Sequence, residues 1–382
     1  MTSTPSEFTS LSAPVWRAST VIFPDLEAFA ARRSQLPDGY TYGTTGTPTQ
    51  RALEQRIAEL EDAAHCVVLP SGQAAICALM LCLLRKDDHL LITDAVYAPA
   101  RNFATTVLAR MGVEVEFFDP SAQTLEDRFT ERTRLVWLES PGSITLEISD
   151  VPVIAEQARQ RGVLTALDGT WASSLGMRPL ALGVDLHVQA CTKYMGGHSD
   201  VLMGAITTNN HDLYCRMRDM QGLMGQAVSA DDCFLVLRGL ETLALRLQRQ
   251  FASSLAIAQR LRAHPFVHRV FYPPLAGDAH HALWRRDFTS GGCVITVQLV
   301  RPDRSVHEAF FTALKRFPLG ASWGGVHSLA AFYPTEDFAH RQWNRPQSPL
   351  VRLSVGLEDP ERLAEDLTQG LDNARAATRS DE

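Results

Sequence analysis

At 382 residues the chain is too long for one ordinary domain and suits two, with a terminal arm besides. A composition of 45% apolar and 21% charged residues fits a globular protein with a substantial core. The net charge of −7 leaves no electrostatic footprint for nucleic acid or for an anionic membrane. Seven cysteines, at 66, 77, 82, 191, 215, 233 and 293, form no CxxC pair and no metal-ligand spacing. No metal is expected, and free thiols in a reducing compartment are. Residues 1–12 lack the pattern of a secretory signal, and the longest apolar run, 74–84, is about half the ~20 residues of a membrane helix. The cytoplasm is the expected location.

In chain order, the first 40 residues show little periodicity and suit an arm that packs on something else. Residues 66–70 (CVVLP) read as a buried strand closed by Ser71-Gly72, followed by a helix over 73–84. A strand at 89–93, a helix over 100–111, and strands at 113–118 and 134–139 come next. A helix over 153–161 precedes strands at 163–167 and 184–190. Such alternation predicts a parallel sheet with helices on both faces, and ligands then sit at the carboxyl ends of the strands. Beyond residue 232 one long helix is expected over 234–264, then a second unit with strands at 293–299 and 351–355. The acidic end, 374–382, reads as frayed. No internal repeat or low-complexity tract is present.

Three strand ends carry chemistry. Ser71-Gly72-Gln73 opens a helix, where glycine permits close approach and free N–H groups favour a phosphate, although a plain strand–helix turn gives the same pattern. Asp168 at the end of LTALD could hold a pyridine nitrogen, a metal or a ribose, or serve only as a turn residue. Lys193 is the strongest candidate. Only three lysines occur; Lys86 lies in a solvated charge run and Lys315 in a late amphipathic segment. Lys193 instead follows a strand and precedes glycines, with no adjacent charge, which suits an amine whose pKa burial lowers for imine chemistry.

The ordered set of motifs is more specific than any one of them. It runs Tyr42-Gly43, Gly46-Thr47-Pro48-Thr49, Pro70-Ser71-Gly72, Tyr97, Leu138-Glu139-Ser140-Pro141-Gly142-Ser143 and Asp168-x-Thr170-Trp171. It continues through Thr192-Lys193-Tyr194, Gly197-His198-Ser199-Asp200, Ser322-Trp323-Gly324-Gly325 and Arg352. From about residue 15 to 370 this resembles the Cys/Met-metabolism family of pyridoxal 5'-phosphate (PLP) enzymes, the trans-sulfuration enzymes, and among them bacterial cystathionine β-lyases.

The resemblance implies PLP fold type I: an α/β chain with a mostly parallel sheet in the large domain and a smaller C-terminal α/β domain. Its parts would be an arm (1–46) contacting the neighbouring subunit, a PLP-binding domain (47–239) and a C-terminal domain (240–382). It also implies a homotetramer, a dimer of dimers with shared active sites, and a small amino-acid substrate as partner. Lys193 would carry the cofactor covalently, Asp168 would pair with its ring nitrogen and Tyr97 would stack on the ring. Ser71, Gly72, Gln73 and Thr192 would hold the phosphate, while Arg352, helped by Ser322 and Trp323, would clamp the substrate carboxylate. Tyr42 would reach in from the neighbouring subunit. The implied reaction is β-elimination of an S-substituted L-cysteine, cystathionine or a related thioether, to a thiol, pyruvate and ammonia. A γ-elimination or γ-replacement enzyme, or a low-turnover PLP-binding regulatory protein, stands as the alternative.

The chain departs from the family pattern at several points. Thr44 and Thr45 stand where arginines are usual in the arm, Asn102 where enterobacterial members have Asp, and Ala321 where β-lyases have Tyr and many γ-lyases Glu. Ala190 replaces a phosphate-binding serine. By resemblance, 44, 45, 102 and 321 face the phosphate and the distal end of the substrate. Each lost arginine contact is worth about 1.5–3 kcal/mol, and Arg101 is the expected compensator. The resulting expectation is a smaller or less polar S-substituted cysteine as substrate, with weaker cofactor retention.

Overall fold

Mostly apolar runs in the first half of the chain form strands, all but the edge strand at Glu114–Phe118 largely buried on both faces. In the computed structural model, which describes residues 10–378, these are β1 (His65–Leu69), β2 (His89–Thr93), β3 (Glu114–Phe118), β4 (Thr133–Glu139), β5 (Leu164–Asp168), β6 (Leu186–Ala190) and β7 (Gly204–Thr208). Their order across the sheet is β1-β7-β6-β5-β4-β2-β3. Val67, Leu69, Leu90, Ile92, Leu135 and Trp137 join one core with helix residues such as Leu79, Leu108 and Leu213. The alternate positions Cys66, Val68, Leu91, Val136 and Leu138 join the core on the other face, with Leu53, Ile57 and Ile154. This two-sided burial is why the inner strands lack a polar face, whereas the edge strand β3 turns Glu114 and Glu116 outward.

The sheet is mostly parallel, but not wholly so as the alternating pattern alone suggested. Strand β7, unmarked by any pattern in the sequence, runs antiparallel to both β6 and β1. Its first residue, Gly204, lies against the turn after β1; a Cβ there would fall 2.4 Å from the Ser71 carbonyl oxygen. Because β7 reverses, β1 still points the same way as β4, β5 and β6. Their carboxyl ends gather Ser71, Glu139, Asp168 and Lys193 on one edge.

A second sheet follows, built from β8 (Val267–Phe271), β9 (Val294–Leu299), β10 (Leu329–Tyr333) and β11 (Leu350–Ser354), all antiparallel in the order β10-β11-β9-β8. The helix expected over 234–264 is two helices, Ala230–Leu240 and Leu243–Ala263. Arg246 stabilises the break between them, donating to Thr242 Oγ1 at 3.0 Å and to the Gly239 carbonyl at 2.7 Å. The helix expected over 100–111 is α-helical at Ala98–Phe103 and widens to a π turn at Ala104–Leu108. There Thr105 returns its hydroxyl to the Arg101 carbonyl at 3.0 Å, a bond that bends helices. The helix Pro360–Thr378 continues through Ala374, which is fully buried, so fraying does not begin at 374. The expectations for 1–9 and 379–382 lie outside the described residues. In the arm, Leu26–Ala31 is helical and buries none of its residues, leaving Trp16, Ile22, Leu26 and Phe29 uncovered. Among the described residues no helix is long and apolar enough to cross a membrane.

Candidate active site

The turn after β1 is shaped for an anion. Ser71 caps the helix Gly72–Leu83, its hydroxyl accepting the Ala74 N–H at 3.0 Å and its carbonyl the Ala75 N–H at 3.0 Å. The N–H groups of Gly72 and Gln73 are left without intrahelical acceptors. Glycine is required at 72, since a Cβ would sit 2.8 Å from that of Ala190. The Gln73 amide donates to the Pro99 carbonyl at 3.2 Å, while its Oε1 is buried with no hydrogen-bond partner. Thr192 lines the same space but shares its hydroxyl with the Met203 backbone, donating at 3.2 Å and accepting at 3.0 Å.

Two acids stand side by side at the next strand ends, Glu139 opposite Asp168 in the β4–β5 register. Oδ1 of Asp168 accepts the N–H and hydroxyl of Thr170 at 3.0 and 2.6 Å, and Oδ2 has no partner among the described residues. Burial pushes the Asp168 carboxyl up, with the Thr170 hydrogen bonds opposing it. Glu139 accepts the Tyr97 N–H at 2.6 Å. Burial, then the neighbouring Asp168, hold Glu139 well above the usual carboxylate range. Tyr97, 44% exposed, stands at the cavity mouth.

Lys193 projects into this space from a tightly held turn. Arg246 donates to the Tyr194 carbonyl at 2.7 Å, and the Tyr194 phenol accepts the N–H of Cys293 at 2.7 Å. Gly197, at φ 73°, lies against the Arg246 guanidinium, where a Cβ would collide at 2.2 Å. The Lys193 amine lies 3.0 Å from Ser322 Oγ and 5.2 Å from the centre of the Trp323 ring. Burial first, then the charge of Arg352, pushes its pKa down to about 8. Arg352, on β11, donates through Nη2 to the Ala321 carbonyl at 2.6 Å and sits 5.3 Å over the Tyr333 ring. Its Nε and Nη1 make no hydrogen bond among the described residues.

One cavity of about 410 Å³ therefore collects Ser71, Gly72, Gln73, Tyr97, Asp168, Thr192, Lys193, Trp323 and Arg352, with Ser322 touching the amine. An anion cradle, an unpartnered acid oxygen, a depressed amine and a fork of free guanidinium donors match, in turn, the phosphate, ring nitrogen and aldehyde of PLP and the carboxylate of an amino acid. The donor set fits the cofactor that the sequence resemblance implies. A larger cleft of about 880 Å³, bordered by Glu147 and Asp150, has no such set; those acids pair with Arg341 and Arg286.

Tyr42 is not in the Lys193 cavity of its own chain. It is 52% exposed and shares a separate recess with Arg17, Thr44 and Asp231. Of the five altered positions, Ala190 and Ala321 line the cavity, whereas Thr44, Thr45 and Asn102 do not. Thr45 donates its hydroxyl to the Tyr42 carbonyl at 2.8 Å. The expectation that Arg101 compensates is overturned: its guanidinium is buried, paired with Asp94 and stacked 3.7 Å over the Phe117 ring. Glu139, Tyr333 and Ile144 were given no role by sequence reasoning. Ile144, a β-branched residue, holds φ 69° at the cavity wall, the kind of backbone outlier found at functional sites.

The profile described as Cys/Met metabolism PLP-dependent enzyme matches residues 2–372. The chain is 39% identical to the cystathionine β-lyase of Bordetella avium over 368 residues, 95% of this chain and 92% of that one. It is 35% identical to the cystathionine γ-lyase of Mus musculus, over 93% of this chain and 91% of that one. The crystal structure of metB from Corynebacterium glutamicum superposes with a TM-score of 0.89 at 32% identity, covering 97% of this chain and 94% of that one.

Proposed function

Because this chain belongs to the Cys/Met metabolism family of PLP-dependent enzymes, we propose that it is a carbon–sulfur β-lyase releasing a thiol, pyruvate and ammonia from an S-substituted L-cysteine. The observation that carries the reading is the convergence of Lys193, Asp168 and Arg352 on one cavity. Bound PLP supplies an electron sink for negative charge developing at the substrate Cα. Arg352 binds the substrate α-carboxylate through the donors left free when Ala321 fixes its Nη2. That orients the Cα–H toward Lys193. With a pKa near 8, the lysine amine is neutral in about a tenth of molecules at neutral pH, far more than for an exposed lysine, and the neutral amine takes the Cα proton. The Ser322 hydroxyl, 3.0 Å from Nζ, holds the amine in place between proton removal and proton return. Asp168, steadied by Thr170, would hold the pyridine nitrogen of the cofactor through its free carboxylate oxygen. Tyr97, its backbone held by Glu139, would flank the cofactor ring.

Tyr42 acts, in this proposal, in the cavity of a neighbouring subunit, within a tetramer built as a dimer of dimers whose contacts cover the apolar arm. Supporting it are the exposure of Tyr42 outside its own cavity and of Trp16, Ile22 and Phe29 in the arm. We also propose an arm (1–46), a cofactor-binding domain (47–239) and a C-terminal domain (240–382) as working parts, and a cytoplasmic setting consistent with seven unpaired cysteines. Mixing Tyr42→Ala with Lys193→Ala protein should restore activity through hybrid sites.

The γ-lyase relative at 35% identity favours one second reading, γ-elimination. Product identity separates the two. Pyruvate from cysteine thioethers is expected. Release of 2-oxobutyrate from homocysteine thioethers, with none of pyruvate, defeats the β-lyase reading, and absence of both products favours a passive PLP-binding role.

A further inference from the structure

Resting on the β-lyase reading, we infer that this site takes cysteine thioethers whose sulfur carries a neutral, apolar group, and turns away substrates with a second charged amino-acid half. Four acidic or basic side chains line the cavity: Glu139, Asp168, Lys193 and Arg352. Each is engaged by the reaction centre. Lys193 and Asp168 stand with the cofactor, and Arg352 is the one guanidinium in the cavity lining available to the α-carboxylate. Glu139 is tied to the Tyr97 N–H and stands next to Asp168 at the sheet edge. The rest of the wall is largely apolar or aromatic, including Pro141, Ile144, Leu202, Ala321, Trp323 and Tyr333. Leu202 is 67% exposed, an apolar side chain presented at the cavity rather than packed away.

No further acidic or basic side chain among the described residues lines the cavity. Arg101 is locked to Asp94. The arm tip from Thr41 to Thr45 carries no ionisable group but the phenol of Tyr42; largely buried Arg51 is paired with Glu54, and exposed Arg17, in the recess with Tyr42, is offset there by Asp231. The tip of an arm inserted from a second subunit, residues 41–45, would thus bring hydroxyls and no fixed charge of its own. A distal ammonium and carboxylate would lose water here without gaining partners, which opposes binding strongly. A short alkyl group would instead exchange water for Ile144, Leu202 and Tyr333, which favours it.

The test is pyruvate release by the PLP-loaded enzyme from S-ethyl-L-cysteine and from L,L-cystathionine. The expected result is a kcat/KM ratio of about tenfold or more in favour of S-ethyl-L-cysteine. Pyruvate from both with cystathionine equal or preferred overturns this inference and leaves the β-lyase reading standing. Pyruvate from neither, with 2-oxobutyrate from homocysteine thioethers, sinks the reading itself. In A321E, a carboxylate added to the wall should move the ratio toward cystathionine by about threefold or more, because its distal ammonium then has a partner. An unmoved ratio in folded A321E protein would show that the wall does not select.

Discussion

The two halves of the cavity differ in how firmly each side chain is held. On the sheet side, nearly every polar group is fixed by a named neighbour. Thr170 holds Asp168, Glu139 holds the Tyr97 backbone, Ser322 meets the Lys193 amine and Ala321 fixes Arg352. On the outer wall, Ile144 and Leu202 offer shape alone, and the Tyr333 ring adds only its face to Arg352. The contrast teaches that the reaction step and the choice of substrate are separable here. Damage to the first half should stop chemistry, whereas changes in the second should redirect it.

The largest effect expected is from Lys193→Ala. It should cut turnover by about a thousandfold or more and abolish the visible absorbance of covalently held cofactor, measured by steady-state kinetics and spectrophotometry. Retained turnover would remove the basis of the comparison. Next comes Arg352→Ala, expected to cost about 2–5 kcal/mol in kcat/KM, since a buried carboxylate would lose its paired donor. Cofactor absorbance should survive, which separates it from Lys193→Ala.

A smaller effect sharpens the role of Glu139. Burial and Asp168 both favour its neutral form, so Glu139→Gln should stay within about threefold of wild type, whereas Glu139→Ala should lose about tenfold by stranding the Tyr97 N–H. Equal losses in the two variants would mean that an ionised carboxylate is needed there.

The smallest effect is on stability of the cofactor-free protein. The Lys193 pKa falls from 10.5 to about 8 on folding, so between those values the unfolded chain binds more protons and stability rises with pH. Below pH 8 the full cost of burying the ammonium is present. Cofactor-free Lys193→Met should therefore melt above wild type at pH 7, with the gap narrowing by pH 10 in thermal melts.

Much of the sheet was legible because most of its strands are mainly apolar runs closed by turn residues, and strand-end logic picked out Lys193 while leaving Asp168 open between a ligand and a turn role. Strand β7 was missed since Gly204–Thr208 follows a glycine-rich turn and carries no sign of its reversed direction. Arg352 and Trp323 came only through the resemblance, as no local pattern joins them to a lysine more than a hundred residues earlier. The part played by Tyr333 under Arg352, and the pairing of Arg101 with Asp94, depend on three-dimensional contacts to which periodicity is blind. For the same reason the arginine lost at 44 could not be traced to a substitute from sequence.

The phenol of Tyr194 bridges two sheets: it adjoins the reactive lysine yet takes the amide proton of Cys293 just before β9. The amine is thereby bolted to both halves of the molecule, like a tool clamped in two jaws. Any rocking of the smaller half tilts the amine against the ring it serves, and an error of even about 1 Å in such alignment is costly to rate. Tyr194→Phe should thus slow turnover from outside the cavity, by loosening the mount while leaving the tool intact.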